Sequence, residues 1–188
     1  MCNHRLTEQA LSLFKILRGI LPLSIIFILI EFFDELVFSF QGAALPAIRD
    51  DLALTYEQGG LLFAIPALIS TVLEPYIMLL GDTRLRKRLI VSGGTAFLVS
   101  LLLTAGSTTF SGMLLAFIIS YPASGAFVTL SQATLMDINP GSETRAMARW
   151  TLAGSVANFS GPLILAAGFA INSAGAGRIY QPPCSPLV

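Results

Sequence analysis

The sequence is poor in charged residues. Only 12% of its 188 residues are Asp, Glu, Lys or Arg, whereas a soluble domain carries about 25%. Hydrophobic residues make up 54% of the chain, and they recur in runs of about 20, the length that crosses the hydrocarbon core of a bilayer. The net charge is zero, so no excess of positive charge points to a nucleic-acid partner. We therefore expect an all-α, polytopic membrane protein whose surroundings are the lipid bilayer.

Cysteine and histidine are equally scarce. Cys2 and Cys184 lie at opposite ends of the chain and His4 is the single histidine, so the spacing of a zinc or haem site is missing. The sequence also lacks a GxSxG nucleophile motif and a Cys–His pair. Two acids could form a protease dyad, but the motifs that accompany such a dyad are absent. We expect no cofactor and no enzyme activity.

Long apolar segments predict a membrane domain of about five transmembrane helices over residues 19–171. The spans are about 20–47, 59–80, 88–107, 111–136 and 148–171. Residues 1–18 place apolar side chains at helical spacing, which predicts an amphipathic lead-in on the cytoplasmic membrane surface. A frayed polar terminus is the alternative. The tail, residues 172–188, contains three prolines and no apolar run, so we expect it to be disordered.

The positive charges are distributed unevenly along the chain. Of the 11 Lys and Arg residues, all except Arg49 and Arg178 precede span 1, separate spans 2 and 3, or separate spans 4 and 5. These positions share one side of the membrane. Because short loops rich in Lys and Arg stay in the cytoplasm, we expect a cytoplasmic N-terminus, in the plasma (inner) membrane.

The first span carries three acids within the stretch EFFDELVF, namely Glu31, Asp34 and Glu35. They fall on one side of a helical wheel, and the same polar stripe continues to Gln41. An ionised acid at the bilayer centre costs at least about 2.5 kcal/mol, so such side chains face a protein interior or a water-filled cavity. We interpret the stripe as a binding site for substrate, protons or a cation. Hydrogen bonds between helices without a transport role are the alternative.

Two later spans add polar groups inside the membrane. Glu74 precedes Pro75 in span 2, and a proline leaves a carbonyl one turn earlier without its N–H donor. This predicts a polar break that lines a central cavity opposite the acids of span 1, with a simple kink as the alternative. Asn158 places an amide in span 5, and Gly161 with Pro162 provides a flexible point in a face of small residues.

Taken together, the acids of span 1, the basic loop after span 2 and the Gly-Pro of span 5 resemble the major facilitator superfamily of secondary transporters. The resemblance covers about residues 20–171, the first five helices of that family's N-terminal six-helix half. In the stretch LLGDTRLRKRLIV, the loop residues Asp82, Arg86 and Lys87 match the family's signature. In the family this loop latches one conformation shut, which implies that the three residues form a gate. A plain topology signal explains the same charges.

The stretch GSVANFSGP resembles the family's antiporter motif, a glycine-rich helix that ends in Gly-Pro. Gly154, Gly161 and Pro162 fit that motif, which implies export. Span 4 lacks the arginine found in many proton-coupled members, and this favours protonated acids or a bound cation in the membrane.

The end of the chain departs from the family, which builds its site between two six-helix halves. Because no sixth span follows residue 171, we expect a truncated or frameshifted product, or a fragment that associates with a second copy or a missing C-terminal half. The predicted function is secondary transport of a small-molecule substrate, with efflux coupled to protons or cations. A non-transporting scaffold or assembly subunit is the alternative.

Overall fold

The computed structural model describes the backbone of residues 2–179 and the side chains of residues 23–171. Five helices make up this part of the chain, which contains no strand. They are α1 (Cys2–Asp51), α2 (Tyr56–Gly81), α3 (Arg86–Gly106), α4 (Phe110–Asp137) and α5 (Glu143–Ile179). The predicted all-α fold is therefore confirmed.

The helices extend past the predicted spans at both ends of the chain. The backbone of α1 begins at Cys2, so the lead-in and span 1 form one helix, but the side chains of residues 1–22 lie outside the described residues. At the other end α5 continues to Ile179, where we expected a disordered tail from residue 172. Residues 180–188 of that tail lie outside the described residues.

Four of the helices, α2 to α5, are long enough and apolar enough to cross a membrane. In the described part of α1, Glu31, Asp34 and Glu35 interrupt every stretch of similar length. These acids do not project freely into lipid. Glu31 and Asp34 are buried and Glu35 is half-buried, because α1 packs along α5 and also touches α4.

Helix α4 is the centre of the bundle, with α3 and α2 packed along it. Its buried side chains include Met113 and Phe117 near one end and Leu135 near the other. Phe117 joins an apolar cluster with Leu62 of α2. Leu135 joins a second cluster with Phe27 of α1 and Trp150 of α5. The middle of α4 therefore lies between two apolar clusters, and the polar residues of the bundle converge there.

Glycines let the two tightest helix pairs approach closely. A Cβ on Gly93 would lie 2.9 Å from the backbone nitrogen of Phe127, so α3 and α4 are in contact at backbone distance. A Cβ on Gly161 would collide with the Ser39 side chain, so α5 also lies close to α1. The Ser39 hydroxyl uses this proximity to donate a 2.8 Å hydrogen bond to the carbonyl of Asn158. Small residues here serve packing, as in other membrane helices.

Candidate functional site: two acidic cavities beside helix α1

A first cavity of about 350 Å³ lies between α1, α2 and α4, and we call it the Asp34–Glu74 cavity. The Ser124 hydroxyl of α4 donates a 2.7 Å hydrogen bond to Asp34 Oδ1. The Ser70 hydroxyl, one turn before Glu74 on α2, donates a 2.7 Å hydrogen bond to Glu74 Oε1. Each carboxyl group therefore has one neutral hydroxyl partner.

The walls of the Asp34–Glu74 cavity are shaped to admit the Glu74 side chain. A Cβ on Gly125 would lie 2.8 Å from Glu74 Oε1, so the glycine lets the carboxyl group lie directly against α4. Phe38 and Tyr121 stack edge to face at 5.2 Å between ring centroids and line the same space. No Lys, Arg or His is among the described residues that line this cavity.

A second cavity of about 270 Å³ lies between α1, α4 and α5, and we call it the Glu31–Glu35 cavity. The Asn158 side-chain amide donates a 2.5 Å hydrogen bond to Glu35 Oε2. A Cβ on Gly154 would lie 2.6 Å from Glu31 Oε1, so the Glu31 carboxyl group rests against the backbone of α5. The buried ring of Trp150 forms part of the wall.

The acids of α1 thus serve two cavities, although the sequence suggested one shared pathway. Successive helix residues point about 100° apart. Asp34 therefore turns toward α2 and α4, whereas its neighbour Glu35 turns toward α5. Glu74 lines the cavity of Asp34 and is not among the residues around Glu31 and Glu35.

Gln41 lies two turns beyond Asp34 on α1 and is buried. Neither its side-chain oxygen nor its side-chain nitrogen has a hydrogen-bond partner among the described residues. It is not among the residues that line the two acidic cavities.

Arg86 joins three helix ends at the loop between α2 and α3. Its Nε donates a 2.8 Å hydrogen bond to the Gly81 carbonyl at the end of α2. Its Nη1 pairs with the carboxylate of Asp137, the last residue of α4, and its Nη2 lies 3.4 Å from Asp82 Oδ1. Lys87 is exposed and forms no ion pair within the described part of the chain.

A family model described as Major Facilitator Superfamily matches residues 27–176, which include the second half of α1 and nearly all of α5. The chain belongs to the Major Facilitator Superfamily. This match confirms the resemblance seen in the sequence. Members of this superfamily are transporters rather than enzymes, so the chain is of the transporter class in general terms. No curated protein matches the chain at a significant level.

Several side chains of this major facilitator protein contact the site residues although the sequence interpretation did not assign them to the site. Asp137 forms an ion pair with Arg86. Its position just after span 4, on the same side of the membrane as the basic loop, is a sequence signal that could have predicted this contact. Ser70 lies four residues before Glu74, a spacing that places both on one helix face. Ser124 and Trp150 meet the acids only through tertiary packing, for which the sequence carries no local signal.

Pro75 and Pro162, predicted as hinges, lie inside helices that continue without interruption. Helix α2 runs from Tyr56 to Gly81 and also contains Pro66. Gly154 and Gly161 face α1, where each leaves room for a polar side chain. In this conformation of the major facilitator chain, the glycines of α5 therefore have a visible packing role.

Proposed function

We propose that this chain moves a small molecule across the plasma (inner) membrane by secondary transport, in the direction of export, with protons exchanged at Asp34 and Glu74. The observation that carries the proposal is the geometry of the Asp34–Glu74 cavity. Two carboxyl groups from different helices share one polar space, and each has a serine hydroxyl as its hydrogen-bond partner.

A serine partner suits a carboxyl group that must change its protonation state. A hydroxyl group both donates and accepts hydrogen bonds. Ser124 can donate to the ionised Asp34, and it can accept from the protonated acid after its own O–H rotates. An arginine partner would favour only the ionised form. The serine pairs therefore support reversible proton binding without a large rearrangement of the helices.

Protonation also removes the electrostatic barrier to a conformational change. An ionised carboxyl group at mid-bilayer costs at least about 2.5 kcal/mol. The protein therefore changes conformation more readily when both acids of the cavity are neutral than when both are charged. In this proposal the contacts of Arg86 with the ends of α2 and α4 hold the cytoplasmic gate in the state seen here. The N-terminus is cytoplasmic, as the distribution of Lys and Arg favours.

The first test measures proton movement by the full chain in proteoliposomes with a pH-sensitive dye inside. A panel of small molecules is added outside, and a transported compound is recognised by a change of internal pH. We expect Asp34→Asn and Glu74→Gln each to reduce that signal about 10²-fold or more, because proton-transfer groups contribute about 10²–10⁴ in rate. Glu57→Gln, the same change at an exposed position of α2, is the matched control and should keep the signal.

The alternative function predicts a different pattern. If the chain is a scaffold, no compound moves protons, and Asp34→Asn and Glu74→Gln alter only thermal stability or association with partners. Equal proton movement in the parent protein and both variants would also contradict the proposal, because the two acids would then have no part in coupling.

A further inference from the structure

The acids of the Glu31–Glu35 cavity have fewer hydrogen-bond partners than those of the Asp34–Glu74 cavity. Glu31 is only 8% exposed, yet its carboxyl group lines the cavity and receives no hydrogen bond or ion pair from the described residues. Glu35 accepts one hydrogen bond, from the neutral amide of Asn158. Among the side chains of residues 23–171, no Lys, Arg or His lines this space. A buried carboxylate without a partner is unfavourable, and a positively charged ligand would supply the partner that Glu31 lacks.

We propose that the Glu31–Glu35 cavity binds a small organic ammonium ion. The proposal names a substrate class for the transport proposed above and in that sense rests on it. Binding itself can be measured without any transport.

The aromatic wall favours an organic cation. Trp150 is held rigidly, because its ring packs in the apolar cluster with Phe27 and Leu135. Tryptophan together with a carboxylate is a combination that recognises ammonium groups, since the face of the indole ring attracts a cation and the carboxylate supplies the opposite charge. The Met147 side chain, which also lines the cavity, adds a polarisable surface.

The size and the ligand set argue against other occupants. A volume of about 270 Å³ is slightly below the range of about 300–1,000 Å³ that holds drug-sized molecules, which suits a small ammonium ion. Within residues 23–171 no three His, Cys, Asp or Glu side chains are grouped as metal ligands. Calcium takes six to eight oxygen ligands, more than two glutamates and an amide provide. The described residues around the cavity include no basic side chain, which disfavours an anion.

Gly154 is part of this design. A methyl group at that position would meet Glu31 Oε1 at 2.6 Å and Glu35 Cγ at 3.3 Å. Glycine therefore lets both acids approach α5 and face the cavity together. The Asp34–Glu74 cavity lacks a tryptophan, and both of its acids already have hydroxyl partners, so the ammonium ion is assigned to the Glu31–Glu35 cavity alone.

The experiment uses Trp150, the single tryptophan of the chain, as a built-in probe. Choline is titrated into the purified full chain in lipid nanodiscs while tryptophan fluorescence is recorded. We expect a saturable change. The uncharged carbon analogue of choline, in which a carbon atom replaces the nitrogen, and sodium chloride at the same ionic strength should produce none. Equal responses to choline and to the carbon analogue would overturn the proposal.

Variants of Glu31 test whether the change in tryptophan fluorescence depends on the charge of this residue. Glu31→Gln keeps the shape and removes the charge, and we expect it to weaken choline binding about tenfold or more, as expected for a desolvated charge pair. Glu31→Asp keeps the charge and should retain saturable binding. Glu57→Gln is again the matched control, with unchanged affinity. If Glu31→Gln binds choline as tightly as the parent protein, the assignment is wrong.

The two proposals fail in distinguishable ways. Choline binding that depends on Glu31, without proton movement by any compound, would leave the ammonium site standing and contradict proton-coupled transport. Proton movement that depends on Asp34 and Glu74, without choline binding, would do the reverse. The nanodisc titration contains no ion gradient, so its result does not depend on transport.

Discussion

Gly93→Ala is expected to lower the free energy of unfolding by about 1–3 kcal/mol, the cost of over-packing a well-filled interior. A Cβ on Gly93 would lie 2.9 Å from the Phe127 nitrogen and 3.0 Å from the Ala123 carbonyl oxygen. Both neighbours are backbone atoms of α4, so they cannot move aside by rotating a side chain. The added methyl group must therefore push α3 away from α4 along their shared interface.

Two other glycines provide matched controls for this change. A Cβ on Gly94 would meet the ring of Phe127 at 2.9 Å, and this side chain can shift, so Gly94→Ala should cost less than Gly93→Ala. Gly60 is exposed near the start of α2, with nothing within 4 Å of an added Cβ. Gly60→Ala should be neutral or stabilising by up to about 1 kcal/mol, because alanine favours a helix more than glycine does.

The stability of the three variants is measured by unfolding in mixed detergent micelles, followed by circular dichroism. The expected order of stability is Gly60→Ala, then Gly94→Ala, then Gly93→Ala. If Gly93→Ala is as stable as Gly60→Ala, then α3 and α4 do not pack at the distance described here.

Arg86→Lys is expected to lower the free energy of unfolding by about 1–2 kcal/mol, even though the positive charge is kept. A lysine cannot reproduce the planar, multiply donating guanidinium group of an arginine. The guanidinium group bonds the Gly81 carbonyl and the Asp137 carboxylate at the same time. Lysine can satisfy one partner well and leaves the other to water. The estimate is modest because the Asp137 side chain is 62% exposed and exposed ion pairs contribute little.

Hydrogen exchange at the last turn of α2 reports this loss directly. The turn before Gly81 should exchange faster in Arg86→Lys, and Asp137→Asn should have a similar but smaller effect. Arg88→Lys, at an exposed position with no ion pair in the described residues, is the matched control. A double-mutant cycle should give a coupling energy of about 0.5–1 kcal/mol between Arg86 and Asp137. No coupling would show that the two side chains act independently.

Much of the fold follows from the length of the apolar segments. The predicted spans 59–80, 88–107 and 111–136 lie within a few residues of α2, α3 and α4, since apolar runs end where loops of polar and small residues begin. The predicted bounds of α1 and α5 are less accurate. Residues 2–19 mix apolar with polar side chains, and residues 172–179 are mostly polar or small. Hydropathy therefore assigns neither segment to a membrane span, yet their backbone continues each helix.

The sequence predicts which acids belong to the site, but it does not predict that they are divided between two cavities. The cost of burying an acid identified Glu31, Asp34, Glu35 and Glu74 as residues that need a protein environment. Their assignment to two cavities depends on how α1 is rotated between α4 and α5, and a helical wheel of one segment does not contain that rotation. The contact of Glu31 with Gly154 requires two helices to meet, which a resemblance to an antiporter motif does not describe.

The pairing of the first helix with the last has a consequence for biosynthesis. Glu35 receives its hydrogen bond from Asn158, 123 residues later in the chain. A ribosome adds about 5–20 residues per second, so α1 enters the bilayer roughly ten seconds before α5 is available to cover its acids. During that interval the insertion machinery itself, or an assisting chaperone beside it, must keep the carboxyl groups of Glu31 and Glu35 away from the acyl chains, whereas Asp34 finds its partner earlier, on α4.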